Sequence, residues 1–219
     1  MEINSKKVAI IDYQLGNLFS VKQACDMVGI NSKITSDKEE VSKADALILP
    51  GVGAFNKAMS NLKELGLDKI IIEKVSNGTP IFGICLGLQL LFSQSEEFDI
   101  GEGLNLIPGT IKQFPKKIEN KKIKVPHISW NRIYKFKLSW NKTPLNKLES
   151  SEFMYFIHSY YVKPDEDFSI LTMTNYEGIE FCSSIYYKNI FATQFHPEKS
   201  ADKGISIYKE WAKKNNLIK

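Results

Sequence analysis

Three short runs in the first half of the chain, "KVAIIDY", "ADALILPG" and "TPIFGIC", are apolar at successive positions, not at every second one. A strand with one wet face alternates; a strand covered on both faces does not. Between these runs the apolar residues recur at helical spacing. In "GNLFSVKQACDMVGI", Leu18, Val21, Ala24, Cys25 and Val28 fall on one side, and Gly29 supplies a C-terminal stop. "GAFNKAMSNLKELG" and "DKIIIEKVSNG" read as further helices, and "SKITS" as a further strand. Strands alternating with helices through roughly the first 95 residues require right-handed crossovers, which build a mostly parallel central sheet with helices on both faces.

The second half changes character. "IPGTIKQF", "KIKVPHISW", "FMYFIHSYYV", "ILTMTNY", "FCSSIYY" and "IFATQFHP" are strand-like pieces with short breaks. The "KN" pair between Tyr187 and Ile190 fits a tight hairpin turn. The chain closes on "ADKGISIYKEWAKKNN", an amphipathic helix with Ile205, Tyr208 and Trp211 or Ala212 on one side. With no internal repeat and no linker, residues 1–219 read as a single α/β domain with a β-rich C-terminal half, long enough to bury a substantial core.

Composition narrows the function classes. The net charge is +4, and the densest basic stretch, "FPKKIENKKIKV", interleaves apolar residues like a solvated hairpin. No aromatic–basic platform accompanies it, so nucleic-acid binding is not expected. No apolar run approaches the ~20 residues of a membrane helix, and no secretory signal opens the chain. Three widely spaced cysteines, Cys25, Cys85 and Cys182, make no disulfide framework, which suits a reducing cytoplasmic setting.

Gly83-Ile84-Cys85-Leu86-Gly87 has the form G-x-C-x-G where a strand gives way to helical spacing. In the serine version of this device the nucleophile stands on a strained turn and projects into a cleft. A cysteine there also lies at a helix N-terminus, which favours its thiolate. The Leu86 amide is placed to meet an oxyanion. The pattern alone also fits a buried structural cysteine in a glycine-rich turn. A thiolate acting on an amide needs a base, and the base an orienting group. Of the three histidines, His196 ends an apolar strand in "TQFHPEKS", with Glu198 two residues on and Pro197 fixing the backbone between them. Cys85, His196 and Glu198 are therefore the best triad in the chain. His127 and His158 lack an acid at useful spacing and read as structural or substrate-lining. No ligand spacing points to a metal, and no cofactor is implied. "LPGVGAF" offers a second oxyanion donor from Val52 or Gly53; it lacks the Lys-Ser/Thr ending of a phosphate loop.

Taken in order, "LPGVGAF", "GICLGLQLLF", "FIHSYY" and "TQFHPEKS" resemble the class I (triad) glutamine amidotransferases along essentially the whole chain. The resemblance implies a flavodoxin-like α/β fold and hydrolysis of glutamine to glutamate and ammonia. It implies that Cys85 attacks the carboxamide, His196 shuttles protons and Glu198 orients it. It places the oxyanion hole at Val52, Gly53 and Leu86. Gln89, Glu97, His158, Ser159 and Tyr160 would hold the rest of the glutamine. "DY-x-x-GN-x-x-SV" and "VPH-x-x-WN" are similar to the branch that passes ammonia, as one half of a heterodimer, to a β/α-barrel cyclase subunit in histidine biosynthesis. That branch would place Gln14, Asn17, Ser129 and Trp130 at the partner interface.

Two positions depart from the family pattern: Gln14 and Ser129 stand where glycine is usual. Both fall in the segments that would face the partner. They leave open a paralogous role, in which the same glutaminase feeds a sugar amidotransferase of surface polysaccharide synthesis. A stand-alone cysteine hydrolase is disfavoured by the "HSY" block and Gln89, and a non-enzymatic binding module by the intact triad.

Overall fold

In the computed structural model, which describes residues 6–97, 100–119 and 121–219, the apolar runs are strands at the centre of a sheet. The order is β1 (Val8–Ile11), α1 (Leu18–Met27), β2 (Ser32–Thr35), α2 (Lys38–Lys43), β3 (Ala46–Gly51), α3 (Phe55–Glu64), α4 (Leu67–Ser76), β4 (Ile81–Cys85) and α5 (Leu86–Leu90). There follow β5 (Phe92–Ser95), β6 (Gly101–Glu102), β7 (Ile107–Gln113), β8 (Lys117–Ile118), β9 (Lys121–Lys122), β10 (His127–Lys135) and β11 (Ser151–His158). The chain ends with β12 (Tyr160–Pro164), β13 (Ile170–Tyr176), β14 (Ile179–Tyr187), β15 (Ile190–Thr193) and α6 (Ala201–Lys214).

The main sheet runs β2-β1-β3-β4-β15-β14-β12-β7-β5-β6, with β10, β11 and β13 branching from β14. From β2 to β15 every neighbour is parallel; β14, β12 and β7 then alternate antiparallel. Because β1 and β3 are covered on both faces, their side chains divide between two cores. Ala9, Ile11, Leu47 and Leu49 pack toward α2, α3 and α4. Val8, Ile10, Ala46 and Ile48 pack toward α1 and α6. Each such buried aliphatic side chain contributes about 1.5–3 kcal/mol relative to exposure. On the second side, Phe82 meets Phe191, Tyr208 and Trp211 at ring-centroid distances of 4.8, 5.2 and 5.5 Å. These ring contacts fix α6 across β4 and β15.

Several boundaries differ from the sequence reading. The helix after Cys85 is one short turn and a half, because Phe92 to Ser95 leave it to pair with β7. "FMYFIHSYYV" divides at Ser159 into β11 and β12, which pair with different neighbours. "IFATQFHP" is a strand only to Thr193, and "KIKVPHISW" only from His127. The basic stretch does form a small hairpin, β8 with β9; residue 120, between them, lies outside the described residues.

Candidate active site

Parallel strands end their carboxyl edges together, and open α/β sheets bind ligands there. β3 ends at Gly51 opposite Cys85, the last residue of β4, and β15 ends at Thr193 opposite Ile84. The glycine-rich turn, Cys85 and the "QFHPE" segment thus leave the sheet side by side.

Cys85 adopts φ 55° and ψ −109°, a conformation non-glycine residues rarely hold and one that costs roughly 1–3 kcal/mol. The corner survives because its surroundings leave the chain no alternative. A Cβ on Gly87 would lie 1.7 Å from the Leu49 carbonyl oxygen, so only glycine lets α5 sit this close to β3. A Cβ on Gly51 would lie 1.9 Å from the Tyr13 hydroxyl, which donates to the Pro50 carbonyl at 2.8 Å and pins the start of the Val52–Gly53 turn. Gly53 turns at φ 119°. Among the described residues, the Val52 and Gly53 amides donate to no internal acceptor.

His196 is held at both ends of its backbone. Its N–H donates to the Tyr155 carbonyl at 2.9 Å. Its carbonyl accepts from Ser200 Oγ at 2.7 Å, and Ser200 Oγ in turn accepts the Tyr155 N–H at 3.0 Å. The ring donates through Nδ1 to Glu198 Oε1 at 2.7 Å, in a pair almost wholly removed from water. Nε2, the other nitrogen, has no nitrogen or oxygen partner among the described residues. Burial opposes charge on this ring, but the Cys85 sulfur and the Glu198 carboxylate beside it outweigh burial and hold the imidazole pKa well above its ordinary 6.5. A cysteine sulfur beside an imidazole that a buried carboxylate orients is the chemical content of the arrangement.

A cavity of about 280 Å³ opens onto Cys85. Its lining includes Val52, Gly53, Leu86, Gln89, Glu97, His158, Ser159 and Tyr160, so every residue expected in the oxyanion hole and glutamine pocket is gathered on one space. Pro126 and Ile157, which the sequence reading did not single out, complete the wall. Glu97 accepts the Phe55 N–H at the start of α3 through Oε2 at 2.6 Å. Burial raises its carboxyl pKa and that N–H lowers it, the first prevailing. Both amide hydrogens of Gln89 are engaged, to the Tyr160 carbonyl at 3.0 Å and to Gln194 Oε1 at 3.1 Å, which leaves its Oε1 for a ligand. Gln194, also not foreseen, is fully buried and directs Nε2 to Cys85 Sγ at 3.6 Å. Both ring nitrogens of His158 are engaged inside the protein, leaving Ser159 and Tyr160 as the hydroxyl-bearing members of "HSY" at the pocket. Among the described residues no cluster of His, Cys, Asp and Glu could hold a metal ion.

The rim carries the remaining expected residues. Leu15 and Gly16, between Gln14 and Asn17, lie against the 51–53 turn. The Asn17 side chain caps α1, accepting the Ser20 N–H at 3.3 Å. Along β10 and β11, Ile128 pairs with Ile157, Trp130 with Tyr155 and Arg132 with Phe153. Ile128, Trp130, Phe153 and Ile157 remain substantially exposed, and Val52 at the pocket mouth is 40% exposed. Ser129 occupies the opposite face of β10 from Trp130, with its Oγ 3.0 Å from His127 Nε2.

Residues 9–213 match the family model of class-I glutamine amidotransferases, the class that this fold and this site define. Over 207 residues the chain is 42% identical to the imidazole glycerol phosphate synthase subunit HisH of Geobacter metallireducens, covering 94% of this chain and 97% of the relative. It is 44% identical over 206 residues to the subunit of the same name from Syntrophotalea carbinolica, covering 93% and 98%. A solved structure, described as a crystal structure of glutamine amidotransferase, matches with a TM-score of 0.72 over 95% of this chain and 98% of that one. At 16% identity this is a likeness of fold. The chain belongs to the class-I glutamine amidotransferases and, within them, to the HisH family.

Proposed function

We propose that this chain is the glutaminase subunit of an imidazole glycerol phosphate synthase, hydrolysing glutamine and delivering the ammonia to a cyclase subunit in histidine biosynthesis. The observation that carries the chemistry is the strained Cys85 corner with His196 beside it and Glu198 bound to the far nitrogen of the ring. Cys85 Sγ attacks the carboxamide carbon, and the oxyanion is met by the amides of Leu86 and the Val52–Gly53 turn. His196 Nε2–H protonates the leaving nitrogen, so ammonia departs and a thioester remains. His196 then takes a proton from water as it attacks the thioester, glutamate leaves and the thiolate returns. Glu198, bound to Nδ1, keeps the ring in one orientation through both halves of the cycle. Glu97, Ser159, Tyr160 and Gln89 Oε1 are the groups available to the α-amino and α-carboxylate end.

The exposed apolar row on β10 and β11 beside the pocket mouth supports a partner surface there, with Trp130 as its largest side chain. The relatives' shared name supports the cyclase as that partner, in preference to a sugar amidotransferase. The same reading puts the protein in the cytoplasm as one half of a heterodimer; no helix among the described residues is long and apolar enough to cross a membrane.

The test is glutamate release from glutamine by the chain alone, then with the cyclase and its nucleotide ligand. A large rise with both is expected. Cys85→Ala should remove about 99% or more of that rate while the complex still works from added ammonium salt, because losing a triad nucleophile typically costs several powers of ten. Glutaminase activity surviving in Cys85→Ala would refute the assignment.

A further inference from the structure

The two histidines that the hydrolysis does not use face one another. His127 on β10 pairs in register with His158 on β11, and His127 Nδ1 lies 3.1 Å from His158 Nε2. His127 is stacked on Tyr176 and Phe156, at centroid distances of 3.9 and 5.0 Å. Among the described residues, neither ring bonds a carboxylate.

The direction of the protons follows from either end. His158 Nδ1 lies 2.8 Å from the Tyr160 carbonyl, which can only accept, so this nitrogen carries hydrogen. At the other end Asn131 Oδ1 accepts the Arg132 N–H at 2.7 Å, and Nδ2 donates to the Asn175 carbonyl at 3.0 Å. Those two bonds fix the amide's orientation, and Nδ2 lies 3.3 Å from His127 Nε2. That nitrogen must therefore accept, with the Ser129 hydroxyl placed to donate to it as well. The His127 hydrogen is then on Nδ1 and is given to His158 Nε2. The two ends, reasoned separately, demand the same arrangement of two neutral rings.

Nor does the chain of bonds stop at Tyr160. Its carbonyl also accepts from Gln89, whose second hydrogen orients Gln194, whose Nε2 faces the Cys85 sulfur. We propose that Ser129, Asn131, His127 and His158 form a positioning chain that ties strand β10 to the Tyr160 carbonyl and, through Gln89 and Gln194, holds the amide hydrogen that faces Cys85. Its value to catalysis rests on the glutaminase reading, whereas its direction does not. An N–H aimed at sulfur favours the thiolate, so disorder at His127 should be felt several hydrogen bonds away as a less reactive Cys85.

The test uses the full chain labelled with 15N-histidine. Long-range proton–nitrogen correlation spectra between about pH 6 and 8 should show His127 and His158 neutral, with hydrogen on Nδ1 in both. Hydrogen on Nε2 of either neutral ring overturns the chain. His127→Phe keeps a flat ring between Tyr176 and Phe156 and removes both nitrogens. In that variant the His158 resonances should move, and alkylation of Cys85 by iodoacetamide should slow about three- to tenfold, the size of one weakened hydrogen bond. Gln194→Leu should slow it at least as much. A folded His127→Phe protein alkylated at the wild-type rate overturns the positioning role. Neither readout depends on glutamine turnover, so a failure of the glutaminase reading would appear separately, as no glutamate release with the partner.

Discussion

The same histidine pair should make the protein acid-sensitive in a way one substitution can isolate. Burial holds the His127 pKa down to about 4 and the His158 pKa down to about 3, whereas in the unfolded chain both return to about 6.5. Between these values the unfolded state binds protons that the native state refuses. The pair's contribution is therefore fully present above pH 6.5 and is lost as pH falls toward the folded values. Each histidine contributes a slope of about 1.4 kcal/mol per pH unit in that window, so the two together should take away roughly 3 kcal/mol per unit. His127→Phe removes one of the two titrations. At neutral pH it should be less stable than wild type by about 1–3 kcal/mol, since Asn131 and His158 lose a buried partner. Below about pH 6.5 its stability should fall less steeply by about 1.4 kcal/mol per unit, so the two curves should meet near about pH 5. Urea midpoints measured at half-unit steps from about pH 7 to about 4.5 would show this, because every other titrating group, Glu97 and His196 included, is common to both proteins. Parallel curves would mean that His127 is not held neutral, and the proton assignment along the chain would fall with it.

Three further outcomes follow from particular contacts. Gly51→Ala drives a methyl group into the Tyr13 hydroxyl and should cost about 1–3 kcal/mol in urea unfolding; adding Tyr13→Phe should restore part of that loss, and a double mutant at the full sum would refute the contact. Trp130→Ala should leave the unfolding midpoint nearly unchanged yet weaken cyclase binding by about tenfold or more in titration calorimetry, and unchanged affinity would move the docking surface elsewhere. Burial pushes the Cys25 thiol up to about 12 and Cys182 higher still, so iodoacetamide at about pH 8 should modify Cys85 alone in the folded protein, and mass spectrometry finding either other cysteine labelled first would overturn that ranking.

What was legible in the sequence is what local chemistry fixes. The buried central strands announce themselves because covering both faces forbids alternation. Cys85 and the His196–Glu198 pair lie in short windows, G-x-C-x-G and H-P-E, where a glycine or a proline sets the backbone. Gln194 was not foreseen because a buried amide in an apolar run looks like a stray polar residue until Gln89, 105 positions away, is brought beside it. Tyr13 and Pro126 were missed for the same reason: their parts depend on which strand ends meet. The His127–His158 pair depends on register, since sliding β10 by one residue against β11 would turn His127 to the outer face. Ser129 is instructive in the other direction. The resemblance placed it with Trp130 among the partner-facing residues, and strand alternation turns its side chain onto His127 while Ile128 and Trp130 look out.

That alternation bears on how a partner could influence a site it does not enter. On β10 the outward residues Ile128, Trp130 and Arg132 alternate with the inward residues His127, Ser129 and Asn131, on one backbone with a period of two. Any shift or tightening imposed on the outer row is imposed on the inner one. The inner row begins the chain of rings and amides that leads through His158 to Tyr160, Gln89, Gln194 and Cys85. The neighbouring strand supplies a second route, because Tyr155, opposite Trp130, accepts the His196 N–H and donates to Ser200, which braces the His196 carbonyl. The exposed row on these strands is thus joined by hydrogen bonds to the amide facing the sulfur and to the backbone carrying His196. A partner that ordered this pair of strands would act on Cys85 and His196 together, with no need to reach into the pocket.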